Sequence, residues 1–422
     1  MGTNFRPYAG IDFGTTNTAV GLVHNHGGIA LAALENPGRA PTSTWRSVLF
    51  FEDDAPPCAG GPAIDRFLQV EGDGRLVQSI KSHLASDSFK KTVILGRAYS
   101  LEALVAEYLR QVARAASLPS EVKVVVGRPV RFWGAQDEKD EALALERMRT
   151  ALSMAGYGEV VFEYEPVAAA LRYSAKLDHE ELILVADFGG GTSDFSLVRV
   201  GPKVQPGDAR AILATSGLGI GGDSFDARVI DAAVAPELGL GTFYRDEFGA
   251  QTPVPAALFG KLRRWHYLSF LKEARTVQLL ERIAQGTDVP VKIERLLSLV
   301  RDELGLPLHR AVEQTKVQLS RAPSCTFDFE DVQLHVPIKR TSFDQWIAED
   351  LNAIDTTIAK MLENSGVAAG DVDTVFATGG SSLVPAVRKR LMDRFGENKL
   401  LGGEELTSVA WGLAARARHV FD

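Results

Sequence analysis

The sequence predicts an α/β protein built from a duplicated strand, turn and strand unit, and three observations carry that prediction. The first is Val185–Val198, where an apolar run ends in Asp187-Phe188-Gly189-Gly190-Gly191-Thr192 and an alternating run follows. The second is Tyr8–Val23, which repeats the order: apolar run, Asp12-Phe13-Gly14, the hydroxyl-rich Thr15-Thr16-Asn17-Thr18, then a second run. The third is composition. A chain of 422 residues, 45% hydrophobic and 24% charged, is an ordinary globular sequence long enough for about two or three domains.

Leu182–Ala186 is apolar and partly branched, as a buried strand is, and Phe195–Val200 alternates as a half-buried one does. Between them, glycines let the backbone take positive φ and bring N–H groups close to an anion. Taken alone, a glycine triplet after a strand is more often just a hairpin turn. The recurrence raises the functional reading. Asp187 ends its strand facing a phosphate it must repel unless a cation lies between, and magnesium is commonly held by one or two carboxylates plus phosphates. If the two halves pack face to face, Asp12 reaches the same site from the other side. A P-loop or a dinucleotide fingerprint opens a helix; each turn here opens a strand, which disfavours both.

These paired turns resemble the two phosphate motifs of the actin, sugar-kinase and heat-shock ATPase superfamily, and they are closest to the 70-kDa heat-shock (DnaK-type) chaperones. The resemblance implies a duplicated actin-like (ribonuclease H-like) fold, with two lobes around a central nucleotide cleft and ATP or ADP with magnesium as cofactors. Lobe I is then 1–178, with 36–104 as a small inserted subdomain. Lobe II is 179–422, with about 226–310 inserted and the C-terminal helix returning towards lobe I. Asp12, Glu165 and Asp187 become the magnesium residues, through water. Gly14, Thr15, Thr16, Asn17, Gly189, Gly190, Gly191 and Thr192 become the phosphate residues, and Asp194 a candidate for polarising the attacking water.

Along the chain, His24-Asn25-His26-Gly27-Gly28 reads as a turn into a strand over Ile29–Leu34. A short strand, Val48–Phe51, leads into an acidic, proline-rich loop over Glu52–Pro62. Lys81, in Ile80-Lys81, stands where the family has the lysine nearest the γ-phosphate; otherwise it is a solvated lysine. Leu101–Ala116 has helical spacing, and Glu121–Arg128 is a strand closed by Pro129. The family relays nucleotide state through a proline there, but Gly-Arg-Pro-Val-Arg-Phe-Trp departs from its pattern. Glu138–Ala155 is a charged amphipathic helix and Val160–Phe162 a strand. Pro166 suits a first helical turn and Glu165 its cap region; the stretch also resembles the family's Glu-Pro-Thr-Ala-Ala-Ala, whose glutamate reaches the magnesium water shell.

Gly217–Asp226, with Gly221, Gly222 and Asp223, reads as a phosphate-approach turn or a capped helix start. Residues 243–305 are the least family-like. Their Arg263-Arg264-Trp265-His266-Tyr267 and the leucines around Leu279-Leu280 and Leu296-Leu297 read as core or as a protein-partner surface, the latter placed on the 226–310 subdomain. The Ala311–Ser320 helix offers Glu313, Lys316 and Ser320 at the family's ribose and adenine spacing; an i, i+3 Glu–Lys pair is otherwise routine. Val375–Pro385, with Gly379, Gly380 and Ser381, resembles the adenosine motif. Leu383 replaces a frequent arginine and Leu406 an expected acid. Thr407–Ala414 resembles the closing hinge helix. With the sequence ending at Asp422, no peptide-binding domain is expected, which is similar to the YegD-like branch that carries the ATPase domain alone.

A net charge of −8 and no basic run argue against nucleic acid. The N-terminus has no signal-like apolar segment and no stretch is long enough to span a bilayer, so no membrane role is expected. Cys58 and Cys325 read as incidental thiols of a reducing, cytoplasmic compartment. The expectation is a slow ATP-hydrolysing, chaperone-like protein with nucleotide-driven lobe closure. The alternatives are an actin-like filament, a nucleotide-sensing scaffold, or a small-molecule kinase.

Overall fold

Each Asp-Phe-Gly turn joins two antiparallel strands, and each hairpin sits inside a sheet of the same design. The computed structural model of the chain describes residues 5–37, 40–70, 73–174, 177–202, 204, 211–263, 271, 273–401 and 408–422. Two compact units emerge. Unit 1 is Met1–Gly219 with Thr357–Ser382 and Leu391–Asp422; unit 2 is Ile220–Thr356 with Leu383–Arg390.

Unit 1 holds both sheets. The first comprises β1 (Phe5–Phe13), β2 (Asn17–His24), β3 (Ile29–Leu31), β4 (Lys123–Arg128) and β5 (Val160–Tyr164), in the order β5-β4-β1-β2-β3, with Trp45–Arg46 also pairing with β2. The second comprises β6 (Glu181–Phe188), β7 (Ser193–Val200), β8 (Ile212–Leu218), β9 (Thr374–Thr378) and β10 (Leu400–Leu401), in the order β8-β7-β6-β9-β10. Three antiparallel strands followed by two parallel ones recur in both. The duplication seen in the motifs is therefore a duplication of topology. The central strands are apolar because they are covered on both faces: Ile11, Val124, Val126, Ile183 and Leu184 are fully buried.

The helices α1 (Leu101–Ala115), α2 (Glu138–Ala155), α3 (Glu165–Ser174) and α4 (Ser408–Phe421) complete the layers of unit 1. Asp137 caps α2 by accepting from the N–H groups of Lys139 and Asp140, and Gly156 ends it in the left-handed region at φ 89°. One core cluster takes residues from both sheets, from α3 (Val167–Ala170) and from α4 (Val409, Leu413, Ala414, Ala417). The packing is backbone-tight. A Cβ on Gly412 would lie 1.8 Å from the Ala168 carbonyl oxygen, one on Gly10 2.2 Å from the Ala414 nitrogen, and one on Gly21 2.3 Å from the Ala410 carbonyl oxygen.

Three boundaries differ from expectation. The Ile29–Leu34 strand stops at Leu31, and Leu34 makes only an isolated bridge to Thr42. The Glu52–Pro62 loop contains a strand, Cys58–Ala59, and the start of a helix, Gly60–Gln69. Pro62 fits there because the first turn of a helix has N–H groups with no intrahelical partner to lose. The helix expected from Ala311 already begins at Gly305 and runs to Arg321.

In unit 2 the helices Ala274–Gly286 and Pro290–Arg301 bury Leu280, Ile283, Ile293, Leu296 and Leu297, so these leucines are core. Phe243 and Phe248 are exposed; Arg264, Trp265, His266 and Tyr267 lie outside the described residues. No described helix is long and apolar enough to cross a membrane.

Candidate functional site

Register brings the acids of unit 1 together. Asp187 on β6 is directly opposite Asp194 on β7 and level with Thr378 on β9. Like charges opposed across strands repel one another, so this pair is costly unless a cation answers it. Asp12 ends β1 in the equivalent place, opposite Ala19. Glu165 opens α3, directly after β5. Lys81 lies in a 3₁₀ turn, Ile80–His83, and its Nζ donates to Glu165 Oε1 at 2.7 Å.

The electrostatics follow from crowding. Burial raises Asp187 to about 8, and Asp194, Glu165 and Asp12 push in the same direction while Lys81 opposes them. Asp12 reaches about 7, through burial and then Glu165. Asp194 is an exposed residue in the lining of a cavity; desolvation by the surrounding protein raises it to about 6, against the hydroxyl of Thr192, which donates to its Oδ2 at 2.9 Å. Burial alone lowers the pKa of Lys81, but attraction to Glu165, Asp12 and Asp187 outweighs it and raises the group overall.

Four acids answered by Lys81 suit a magnesium held through its water shell rather than ligated directly, since among the described residues only the exposed Asp328, Glu330 and His335 bring three ligand atoms within 4.8 Å of one another. Hard carboxylate oxygens match that ion, and their mutual repulsion is what a divalent cation relieves. Asp12, Asp187 and Glu165 are the residues that fit it.

The turns around these acids are braced. Gly14 N–H donates to Asn17 O at 3.0 Å, and the buried Ser47 donates its hydroxyl to Gly14 O at 2.7 Å while its N–H reaches Thr16 O at 2.8 Å. Sequence reading missed Ser47, whose signal lies in tertiary pairing alone. Thr15, Thr16 and Asn17 are part-exposed in that turn; of the second turn, Gly189 and Thr192 are part-exposed and Gly191 exposed. Gly379 follows β9 with φ 80°, and a Cβ on it would lie 2.3 Å from Phe188 O and 2.8 Å from Asp187 Oδ1. Only glycine fits there. Gly380 and Ser381 continue from it in a 3₁₀ turn.

A cavity of about 640 Å³ adjoins the acids, with Glu165, Asp187, Thr192, Asp194, Phe132, Trp133, Thr215 and Leu218 among its lining residues. Pro129–Gln136 forms one wall. Arg128 holds that loop through Pro129 O at 3.1 Å, pairs with Glu141 at 2.9 Å and stacks over Tyr164.

In unit 2, Gly221 precedes the helix Gly222–Val229, with Asp223 in its first turn. Lys316 Nζ donates to Asp226 Oδ2 at 2.8 Å and to Gly222 O at 3.1 Å, and Ser320 donates its hydroxyl back to Lys316 O. Glu313 raises Asp226 slightly, so it belongs to the same group. Asp226 was read only as part of the glycine motif; it is the buried anchor that fixes Lys316. Leu383 is half-exposed, and Leu406 lies outside the described residues.

Burial raises Asp226 from 3.8 to about 6 even with Lys316 beside it. The Lys316→Met variant is expected to lose about 3 kcal/mol of stability near pH 8, because it leaves a buried charge unpaired. A raised carboxyl pKa means that the folded state keeps a proton the unfolded chain releases, so stability falls as pH climbs past the unfolded value. The deficit should shrink on going from pH 8 to pH 5, which paired melting curves at the two pH values check.

Paired sheets that share one order of five strands, each with an aspartate at the next-to-last residue of its first strand, define the duplicated actin-like ATPase fold. Residues 69–237 and 298–420 match the family model described as Hsp70 protein. The chain belongs to the Hsp70 family. It is 26% identical over 415 residues to the chaperone protein DnaK of Thermosipho melanesiensis, and 26% over 413 residues to that of Thermosipho africanus. Each alignment covers 97% of this chain and 58% of the relative, so the chain spans well under two thirds of the length of these relatives. The unmatched stretch between the family segments, 238–297, falls almost wholly within the 243–305 region that departs from the family in sequence.

Proposed function

We propose that the chain binds ATP with magnesium at the acid cluster of unit 1 and hydrolyses it slowly, as a chaperone-like ATPase. One observation supports this reading above the others: two hairpins of the same topology bring Asp12, Asp187 and Asp194 into one electrostatic cluster with Glu165 and Lys81. Backbone N–H groups of Thr15–Asn17 and Gly189–Thr192, with the hydroxyls of Thr15 and Thr16, receive phosphate oxygens. Lys81 stabilises charge developing on the transferred phosphoryl group. Asp194, steadied by Thr192, orients the attacking water and draws off its proton. Asp12, Asp187 and Glu165 would hold a hydrated magnesium, which would supply positive charge to the phosphates.

The same reading assigns Gly221, Gly222, Asp223, Glu313, Lys316, Ser320, Gly379, Gly380 and Ser381 to the nucleoside side. It also carries the lobe division at 178/179, nucleotide-driven lobe closure as the output, a protein partner on 226–310 and a cytoplasmic location. The Asp194→Asn variant keeps the shape and removes the base; its turnover should fall about 10²–10⁴-fold with nucleotide affinity kept, and EDTA should abolish phosphate release by the natural protein. Unchanged turnover in either case contradicts the reading. The cavity beside Asp187 and Asp194 favours a second one, phosphoryl transfer to a small hydroxyl-bearing acceptor. ADP formation outrunning phosphate release in the presence of sugars and polyols distinguishes it.

A further inference from the structure

Lys81 sits in a segment that regular secondary structure does little to hold. Ser79, before the turn, takes the left-handed region at φ 54°, and from Ile80 to Phe89 the backbone passes through single turns: Leu84 N–H to Lys81 O, Ser86 N–H to His83 O, Phe89 N–H to Ser86 O. Ile80, Leu84 and Ala85 are buried, so the segment carries backbone carbonyls into the interior with no helix or sheet ladder to take them.

The buried Arg147, on α2, answers them. Its Nη1 donates to the carbonyls of Leu84 and Ser86, both at 2.9 Å, and more distantly to His83 at 3.4 Å; its Nη2 donates to Phe89 O at 3.3 Å. Its Nε faces Glu102 Oε1, in the first turn of α1, at 3.2 Å. A guanidinium has five donors in a fixed plane, whereas an ammonium has three on a flexible stem. One side chain thus ties the segment following Lys81 to two helices.

We infer that Arg147 is a positioning residue: by fixing His83–Phe89 against α2 and α1 it aims the Lys81 ammonium at Glu165 and at the γ-phosphate. The inference rests on the proposed role of Lys81. Arg147 acts through the backbone that leads out of the Lys81 turn. A misplacement of about 1 Å in a catalytic group can cost about 10²-fold in rate.

The experiment compares the natural protein with Arg147→Lys, Arg147→Met, Lys81→Ala and the Arg147→Met/Lys81→Ala double variant, well below every melting temperature. Phosphate release at varied Mg·ATP and separate ATP and ADP affinities are the readouts. Expected are a kcat about ten- to a hundredfold lower in both Arg147 variants, an unchanged ADP affinity, and no further loss when Arg147→Met is added to Lys81→Ala. A lower melting temperature with unchanged kcat overturns the inference, as does a full, multiplicative loss in the double variant. Should Arg147→Met fail to fold, Glu102→Gln slackens the same brace and is expected to lower kcat in the same sense. If the natural protein shows no turnover, the ATPase reading fails and the inference is read from binding instead. Arg147→Met should then reduce the preference for ATP over ADP by the same factor as Lys81→Ala, and an unchanged preference overturns it.

Discussion

The Lys81→Ala variant is expected to release phosphate from ATP about 10²–10³-fold more slowly than the natural protein, the usual loss when a preorganised charge-stabilising donor is removed. Lys81 faces Glu165 at 2.7 Å and also feels Asp12 and Asp187, so the substitution changes the acids too. Without nucleotide and metal, the remaining carboxyls relieve their repulsion by taking up protons. The variant should therefore melt at a lower temperature than the natural protein above neutral pH, where that uptake is unfavourable. Adding Mg·ADP should recover most of the difference, because a divalent cation restores the missing charge. By linkage, Mg·ADP should bind the variant more tightly than the natural protein, by the factor that corresponds to the recovered stability. Phosphate release, melting curves with and without Mg·ADP, and an ADP titration check the three parts. A variant that turns over ATP at the natural rate contradicts the assignment.

Gly412→Ala is expected to destabilise unit 1 by about 3 kcal/mol, at the upper end of overpacking costs, and to lower the melting temperature by about 6–12 °C. Helix propensity alone points the other way, because replacing glycine by alanine inside a helix ordinarily stabilises by about 0.5–1 kcal/mol. The opposite sign follows from the 1.8 Å between that Cβ and Ala168 O. Moving α4 off α3 to make room also disturbs its seating on Gly10 and Gly21, where the strand backbones meet it. Thermal denaturation decides the matter. A melting temperature that holds or rises shows that the two helices are not in backbone contact.

What was legible in the sequence, and what was not, divides along the distance between interacting residues. Asp12, Asp187 and their glycine and threonine turns could be read because a hairpin and its turn are local, and because the second copy confirmed the first. Helices α1 and α2 were legible from their apolar spacing, whereas the caps Asp137 and Gly156 emerged with the structure. The opposition of Asp187 and Asp194 was implicit in a tight two-stranded register. By contrast, Arg147 meets carbonyls about 60 positions earlier, and Ser47 braces a turn 33 positions away. An arginine on a charged amphipathic helix reads as solvent-facing, and nothing local marks it as buried. Gly412 reads as an indifferent helical residue, since the carbonyl that demands a glycine belongs to another helix. The Glu52–Pro62 segment misled for a related reason: its acids and prolines signal a loop, yet its end starts a helix whose first turn tolerates proline.

The most direct test of the central claim, that the unit 1 acids form an ATP and magnesium site, is the rate of phosphate release from Mg·ATP by the natural protein and by Asp187→Asn. Magnesium-dependent release slower than the ~10 s⁻¹ of a median enzyme, lost in Asp187→Asn, is the predicted result. Release that ignores both magnesium and the substitution contradicts it; tight ATP binding without release overturns the hydrolysis part alone.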